Sequence, residues 1–94
     1  MKKLISTASI EGYELRYFMT ETESEDSPGK GLYGVYVEMY EDGVMTLSNH
    51  SGTFTEDKED MENVIAMLCE GTVMPDTLLE VLDEIVDQRK LSSV

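Results

Sequence analysis

The side chains that most often carry out nucleophilic catalysis are scarce in this chain of 94 residues, which has one histidine and one cysteine. A serine, cysteine or threonine nucleophile needs a neighbouring base, usually histidine. His50 stands in the turn-like segment Asn49-His50-Ser51-Gly52 with no partner pattern around it, as a surface loop histidine does. Cys69 falls near the end of a predicted helix, a position typical of a half-buried structural thiol. The sequence therefore predicts no catalytic residue and no enzyme.

Carboxylates are abundant, with 20 Asp and Glu against 7 Lys and Arg, and a metal site is the chemistry they could support. Hard cations bind clustered carboxylates, most specifically in a loop. The densest cluster, at residues 56–62, is spread around a predicted helix, and no D-x-D-x-D-G spacing occurs. Gly29, Gly31 and Gly34 lack the G-K-[ST] ending of a phosphate-binding loop. We therefore expect no dedicated metal site and no other cofactor.

The formal net charge of −13 excludes several classes of partner. A nucleic-acid binder needs lysine and arginine to displace counterions from phosphate, and anionic lipid likewise attracts basic proteins. No apolar run is long enough to span a membrane, and residues 4–9 are too short and polar for the apolar region of a signal peptide. A single cysteine suits a reducing compartment. These features predict a cytoplasmic protein without direct contact to nucleic acid or membrane.

The first half of the chain has the periodicity of β-strands. Apolar and polar side chains alternate from Tyr13 to Thr20, and a strand richer in Val, Tyr and Met follows over residues 32–40. Residues 3–10 predict a further strand, with Gly12 in the turn after it. Between the two longer strands, the acidic segment 21–31 contains a proline and two glycines. That composition predicts a mobile hairpin connection.

Two registers are open for the hairpin that turns at Glu41-Asp42-Gly43. A two-residue loop pairs Tyr40 with Met45, whereas a three-residue loop with a left-handed Gly43 pairs Met39 with Met45. Register follows the face that must be buried, and the three-residue loop gathers the apolar side chains on one face. We therefore predict the three-residue loop. It assigns these side chains to one face: Val35, Val37, Met39, Met45 and Leu47.

The second half has helical periodicity. Thr55 is predicted to cap the first helix, Gly71 to end it in the left-handed conformation, and Pro75 to lie in the first turn of the second. Each helix has one apolar face. The faces comprise Met61, Val64, Ile65 and Leu68, then Leu78, Leu79, Leu82, Ile85 and Val86. The prediction is a single α+β domain over residues 1–94, an antiparallel β-meander of three to four strands followed by two α-helices packed on one face of the sheet.

The acids concentrate on these predicted helices. Residues 56–87 contain eleven acids and one base, Lys58, for a net charge of −10. Such a surface usually keeps a protein in solution, but it can also bind a basic partner or imitate nucleic acid. Exposed Tyr and Met are typical of contact surfaces, and some fall outside the predicted core. The candidate interaction residues are Tyr36, Tyr40, Met67, Glu80, Asp83, Glu84 and Asp87.

Two hypotheses for function follow from this surface. The first is a non-catalytic protein-interaction module with a protein partner, which a second copy of the chain could supply. The second is an acidic inhibitor that imitates nucleic acid and occupies a DNA- or RNA-binding protein. Both hypotheses depend on side chains that lie outside the predicted core. These side chains form no catalytic arrangement, so binding is the function that they indicate.

A set of short motifs runs through the last two thirds of the chain. Tyr33-Gly34-Val35 lies in a strand, Asp57-Lys58-Glu59 opens the first helix, and Pro75-x-x-Leu78-x-x-Val81-x-Asp83-Glu84 opens the second. With Val64 and Leu68, these motifs resemble a group of short, uncharacterised proteins of clostridia-type Firmicutes that is known only as a domain of unknown function. That family often has a histidine where this chain has Thr77, so imidazole chemistry does not transfer to this chain. The resemblance implies a bacterial, cytoplasmic, non-enzymatic small protein.

Overall fold

The computed structural model describes residues 1–26 and 29–92, which form a four-stranded sheet followed by two helices. The strands are β1 (Lys2–Ile10), β2 (Tyr13–Glu23), β3 (Gly31–Glu41) and β4 (Val44–His50). The helices are α1 (Lys58–Glu70) and α2 (Leu78–Ser92), and a single 3₁₀ turn (Pro75–Thr77) leads into α2. The strands are antiparallel to their neighbours in the order β1-β2-β3-β4. The predicted α+β fold, a meander followed by two helices, is confirmed.

The segment predicted as a loop over residues 21–31 is shorter than expected. Glu21, Thr22 and Glu23 continue β2, and Glu23 pairs with Gly31 at the start of β3. Only residues 24–30 connect the two strands, and Ser27 and Pro28 of that connection lie outside the described residues. The composition of the segment is that of a loop, but the backbone hydrogen bonds of the antiparallel ladder extend the strands into it.

The predicted register of the β3–β4 hairpin is wrong at the turn and along the strands, since Met39, expected opposite Met45, pairs with Leu47. Asp42 and Gly43 both have positive φ, 53° and 79°, so the turn has two residues and Tyr40 pairs with Met45. The register then shifts, because Met39 pairs with Leu47 and residue 46 has no counterpart on β3. This bulge keeps Leu47 on the face of Met39 and moves Met45 to the opposite face. A tight turn and a bulge together therefore keep Leu47, but not Met45, on the predicted face.

The core lies between one face of the sheet and the two helices. All four apolar residues predicted for α1 are buried there, as are Leu78 and Leu82 of α2. Leu79 is 49% exposed, in contrast to the prediction, and Val81 packs against the core on the inner side of α2. Met45 and Leu47, also expected in the core, are 47% and 39% exposed. The buried apolar side chains of the sheet are Leu15, Tyr17, Met19, Val35 and Val37.

The N-terminus of α1 is capped two residues later than predicted. Asp57 is the N-cap, and its carboxylate accepts a hydrogen bond from the backbone N–H of Asp60 at 3.3 Å. Thr55 instead forms a β-bridge with Tyr33, and its hydroxyl accepts a hydrogen bond from the N–H of Asp57. Both residues are good caps, and the bridge to β3 withdraws Thr55 from the helix.

The C-terminus of α1 ends with Thr72, not Gly71, in the left-handed conformation. Gly71 has φ −85°, whereas Thr72 has φ 47°. The N–H of Val73 donates to the carbonyl of Leu68 and the N–H of Thr72 donates to the carbonyl of Cys69. These two bonds form a Schellman motif with Thr72 at the position that glycine usually occupies. A β-branched residue there is strained, since its Cβ crowds the backbone.

Replacing Thr72 with glycine is therefore expected to stabilise the protein by about 1 kcal/mol, since it relieves the left-handed strain. Urea unfolding of the two proteins measures the difference. Thr72→Ala is the control, because alanine keeps the Cβ and so most of the strain. A glycine variant no more stable than the alanine variant would show that a Cβ in the left-handed conformation at position 72 costs little stability.

Hydrogen bonds fix the helical layer to the sheet and the helices to each other. The Tyr17 hydroxyl donates to the Val73 carbonyl at 2.9 Å, and the side-chain amide of Asn49 donates to the Pro75 carbonyl at 3.1 Å. Arg89 near the end of α2 donates two hydrogen bonds to the carboxylate of Asp60 in α1, at 2.6 and 3.1 Å. These bonds hold both helices against one face, and no helix of residues 1–26 and 29–92 covers the other face of the sheet.

Candidate interaction surface

The uncovered side of the sheet carries the side chains that alternate with the core residues. We call it the open face. Along β2 the core side chains Leu15, Tyr17 and Met19 point to the helices, so their neighbours point away. The cross-strand pairs extend the same face over all four strands. Its members are Lys2, Leu4, Thr7, Ser9, Glu14, Arg16, Phe18, Thr20, Gly34, Tyr36, Glu38, Tyr40, Met45, Ser48 and His50.

An aromatic pair covered by a lysine occupies the middle of the open face. Phe18 and Tyr36 are opposite each other on β2 and β3, and their rings meet edge to face with centroids 5.8 Å apart. The Lys2 ammonium lies 4.7 Å from the centre of the Phe18 ring and 4.4 Å from that of Tyr36. A cation at this distance from a ring is attracted to its negative face. The lysine side chain therefore lies over the two rings, and 45% of it is still exposed.

A second group joins the remaining charges of the open face. The Arg16 guanidinium lies 4.1 Å from the centre of the Tyr40 ring, and one of its nitrogens is 2.8 Å from a Glu14 carboxylate oxygen. The Tyr40 hydroxyl donates a hydrogen bond to Glu38 at 3.0 Å, which raises the pKa of Tyr40. The second carboxylate oxygen of Glu38 is 3.8 Å from the Lys2 ammonium. All four charged side chains of the open face thus have partners within it.

The electrostatics of the open face differ from those of the rest of the molecule. Two cations, Lys2 and Arg16, and two carboxylates, Glu14 and Glu38, give the face a formal charge of zero. The chain as a whole carries −13, so the whole excess of negative charge lies elsewhere. The open face is a neutral, aromatic surface on a strongly acidic protein.

One end of the open face is closed by the chain that follows β4. The N–H of Ser51 donates to the Val35 carbonyl, and the β-bridge between Tyr33 and Thr55 restores pairing further on. The residues between them bulge over Gly34, where a Cβ would overlap the Gly52 carbonyl oxygen. A glycine at position 34 is thus what lets this segment cross the sheet.

The residues predicted from sequence to form an interaction surface lie on two sides of the molecule. Tyr36 and Tyr40 are together on the open face, where each is half-buried beneath a cation. The others are exposed on the helices: Met67 on α1, and Glu80, Asp83, Glu84 and Asp87 on α2. The structure does not bring the two tyrosines and the acidic residues into one surface.

The members of the open face that sequence reasoning missed include Lys2, Arg16 and Phe18, which make its ring contacts. The alternation of β2 contained the signal for two of them, because Arg16 and Phe18 stand between residues assigned to the buried face. Lys2 needed the pairing of β1 with β2, which places it opposite Thr20. An apolar residue on the outer face of a strand is thus a usable signal when its cross-strand neighbours are also known.

The residues considered for catalysis are not assembled into a site. His50 is exposed at the end of β4, and Cys69 is half-buried with its thiol donating to the Thr7 carbonyl at 3.5 Å. Over residues 1–26 and 29–92, no three His, Cys, Asp or Glu side chains are arranged to hold a metal ion.

A pocket of about 240 Å³ lies beside the end of β2 and the start of β3. It is lined by Met1 and by residues 21–23 and 29–31. In the same described part of the chain, neither helix has the length and apolar character needed to cross a bilayer.

Comparison with known proteins gives one match. A family of unknown function, DUF6514, matches residues 1–88. The match includes the N-terminal strands as well as the last two thirds of the chain, where the sequence motifs lie. No curated protein and no solved structure matches the chain. A match over nearly the whole length shows that the chain belongs to DUF6514, a family of unknown function.

Proposed function

We propose that this protein is a non-catalytic protein-interaction module and that the open face is its contact surface. The observation that carries the proposal is the neutral, aromatic character of that face on a chain of net charge −13. Aromatic residues and arginine are enriched in the centres of protein interfaces, and unpaired charges are depleted there.

The pairing of charges within the open face makes it suitable for burial. Covering a charged group is costly when the group has no partner, whereas a paired group keeps its partner on docking. Arg16 is paired with Glu14, and Lys2 with Glu38, before any partner arrives. Leu4 and Met45, on the two edge strands, add exposed apolar area at the margins. The open face is therefore suited to burial by another protein chain.

The cellular setting that we propose is the bacterial cytoplasm, in an organism of the clostridial Firmicutes. The sequence motifs that resemble such proteins support the source, and the single cysteine suits a reducing compartment. The Cys69 thiol donates a hydrogen bond to a backbone carbonyl, as the thiol of a structural cysteine does.

A photoreactive residue at Ser48 tests the contact surface. Ser48 is exposed on β4 and lies opposite Glu38, so a benzoylphenylalanine there would face any protein that covers the open face. We expect covalent protein adducts in cells from this position and few from the exposed position Ala66 on α1. Equal adducts from both positions, or none from Ser48, would contradict the proposal.

A matched pair of substitutions tests the same surface without a probe. Leu4 on the open face and Leu79 on α2 are 50% and 49% exposed. Leu4→Glu adds an unpaired charge to the neutral face, whereas Leu79→Glu adds the same charge outside it. We expect the adducts at Ser48 to be lost in the first variant and kept in the second. Loss in both would show that the added charge, not its place, is responsible.

An acidic inhibitor that imitates nucleic acid is the second candidate function. Ten of the eleven acids between residues 56 and 87 are exposed, and Asp60 is half-buried. Among the described side chains, ion pairs involve only two of the eleven, Glu56 with Lys30 and Asp60 with Arg89. Such a surface would bind a basic partner that is released at about 0.5 M salt, because screening weakens contacts between exposed charges. The adducts formed through a neutral face should persist at that salt concentration.

A further inference from the structure

We infer that the chain covering the open face is a second copy of this protein, packed sheet to sheet about a two-fold axis. The inference rests on the proposed function and names the partner of the same surface. A two-fold axis brings the same patch of both copies together, so the patch must be complementary to itself. A face with equal numbers of cations and carboxylates meets that condition.

The distribution of charge favours this face over any other for self-association. Two copies that met through their helical layers would bring together two surfaces that each have a formal charge of −8 over residues 56–92. Packing through the open faces places both helical layers on the outside, with two sheets between them, because the helices cover only the opposite side. Stacked sheets lie about 10 Å apart, so this arrangement keeps the acidic layers as far apart as contact allows.

The edges of the sheet are less suited to self-association. The two edge strands each contain a bulge, at Ile5 in β1 and at Thr46 in β4. Bulges and lysines on edge strands discourage pairing with another strand, and β1 also carries Lys3. An edge-to-edge dimer would moreover place the helical layers of both copies on the same side of one continuous sheet. The face is therefore the better surface.

The size of the open face sets the strength of the association. Four strands with a spacing of about 4.8 Å, over about seven residues each, give a flat area of roughly 450 Å². Two such faces bury roughly 1,000 Å² in all, which is at the small end for a specific interface. The segment over Gly34 prevents the contact from extending further along the strands. We therefore expect a dimer that dissociates at micromolar concentration.

Analytical ultracentrifugation of the full chain tests the inference. We expect the sedimentation coefficient to rise from that of the 10.6 kDa monomer towards that of twice the mass between about 1 and about 200 µM. Leu4→Glu should weaken the association at least about tenfold, since it places two unpaired charges in one small interface. Leu79→Glu should leave it unchanged. Added salt should strengthen the dimer, because screening reduces the long-range repulsion between the two acidic chains.

The possible outcomes test the identity of the partner separately from the proposed function. A wild-type monomer at every concentration, with Ser48 adducts to a different protein that Leu4→Glu abolishes, overturns the second copy and leaves the interaction module in place. A monomer without such adducts contradicts both. A dimer that Leu79→Glu weakens and Leu4→Glu does not would move the interface to the helical layer and overturn the inference. Met45→Glu, at the opposite edge of the open face, repeats the test independently, and circular dichroism shows which variants are folded.

Discussion

Replacing Gly34 with alanine is expected to destabilise the protein by about 3 kcal/mol, the upper end of the usual cost of overpacking. The new Cβ would overlap the Gly52 carbonyl oxygen and would lie 2.9 Å from the Thr20 hydroxyl. Neither neighbour gives way easily, because the Gly52 oxygen belongs to a backbone held on both sides. The N–H of Ser51 is bonded to Val35, and the backbone on the far side of the bulge is bonded to Tyr33. The segment would have to leave the sheet, and its hydrogen bonds would weaken with it.

Urea unfolding monitored by circular dichroism measures this loss, and Gly71→Ala is its matched control. Gly71 has a negative φ of −85°, and a Cβ there would meet nothing closer than 3.5 Å. The same change of residue is therefore expected to shift the free energy of unfolding by less than about 0.5 kcal/mol at position 71. A Gly34→Ala variant as stable as Gly71→Ala would mean that the Gly52 segment is free to move away from β3.

Stability should fall steeply above about pH 10, and Tyr17 should account for much of the fall. Tyr17 is buried in the core with its hydroxyl bonded to Val73, and burial raises the pKa of Tyr17 well above its ordinary value of 10.0. Below pH 10 the phenol is protonated in the folded and unfolded states alike, so its contribution to stability is fully present. Above pH 10 only the unfolded state loses the proton, which costs about 1.4 kcal/mol of stability per pH unit until the pH passes the folded pKa.

Urea unfolding from about pH 8 to about pH 11 in wild type and Tyr17→Phe separates this contribution from the others. The variant should lose about 1 kcal/mol at neutral pH, because the Val73 carbonyl loses its donor, but its stability should decline less above pH 10. Tyr40→Phe is the control for a phenol outside the core, since the hydrogen bond to Glu38 also raises the pKa of Tyr40. Parallel pH curves for wild type and Tyr17→Phe would show that folding does not raise the pKa of Tyr17.

Local pattern was sufficient to predict most of the architecture. The period-two alternation around Leu15 and the i, i+3, i+4, i+7 spacing around Met61 both depend on which side of an element faces the core. That side is decided by hydrophobic burial, the largest favourable contribution to folding, so the pattern and the fold agree. The four predicted core residues of α1 are all buried for this reason.

The errors at the two ends of α1 occur where two local solutions have similar energies. Thr55 and Asp57 are both good N-caps, and Gly71 and Thr72 are adjacent candidates for the left-handed residue. In each case a contact distant in sequence made the choice. The bridge to Tyr33 withdraws Thr55 from the helix, and the bond from Tyr17 to the Val73 carbonyl lies next to Thr72. No local pattern records these contacts.

The candidate interaction surface was likewise predicted only in part from the sequence. Sequence alone placed Tyr36 and Tyr40 on the side of the sheet away from the helices and located the acidic residues on the outer sides of the helices. The sequence could not show that the Lys2 ammonium lies over two aromatic rings, because that contact joins β1, β2 and β3. Nor could it show that the charges of this face pair among themselves.

What the sequence by itself determined is therefore the fold class, the buried faces of both helices and the excess of negative charge on the helical surface. These depend on the periodicity and composition of single elements. Only the tertiary structure decided where the chain turns, which residue caps each end of α1, and that the open face is neutral. Those features arise from pairs of residues far apart in the chain, and their small energies are settled only when the strands are brought side by side.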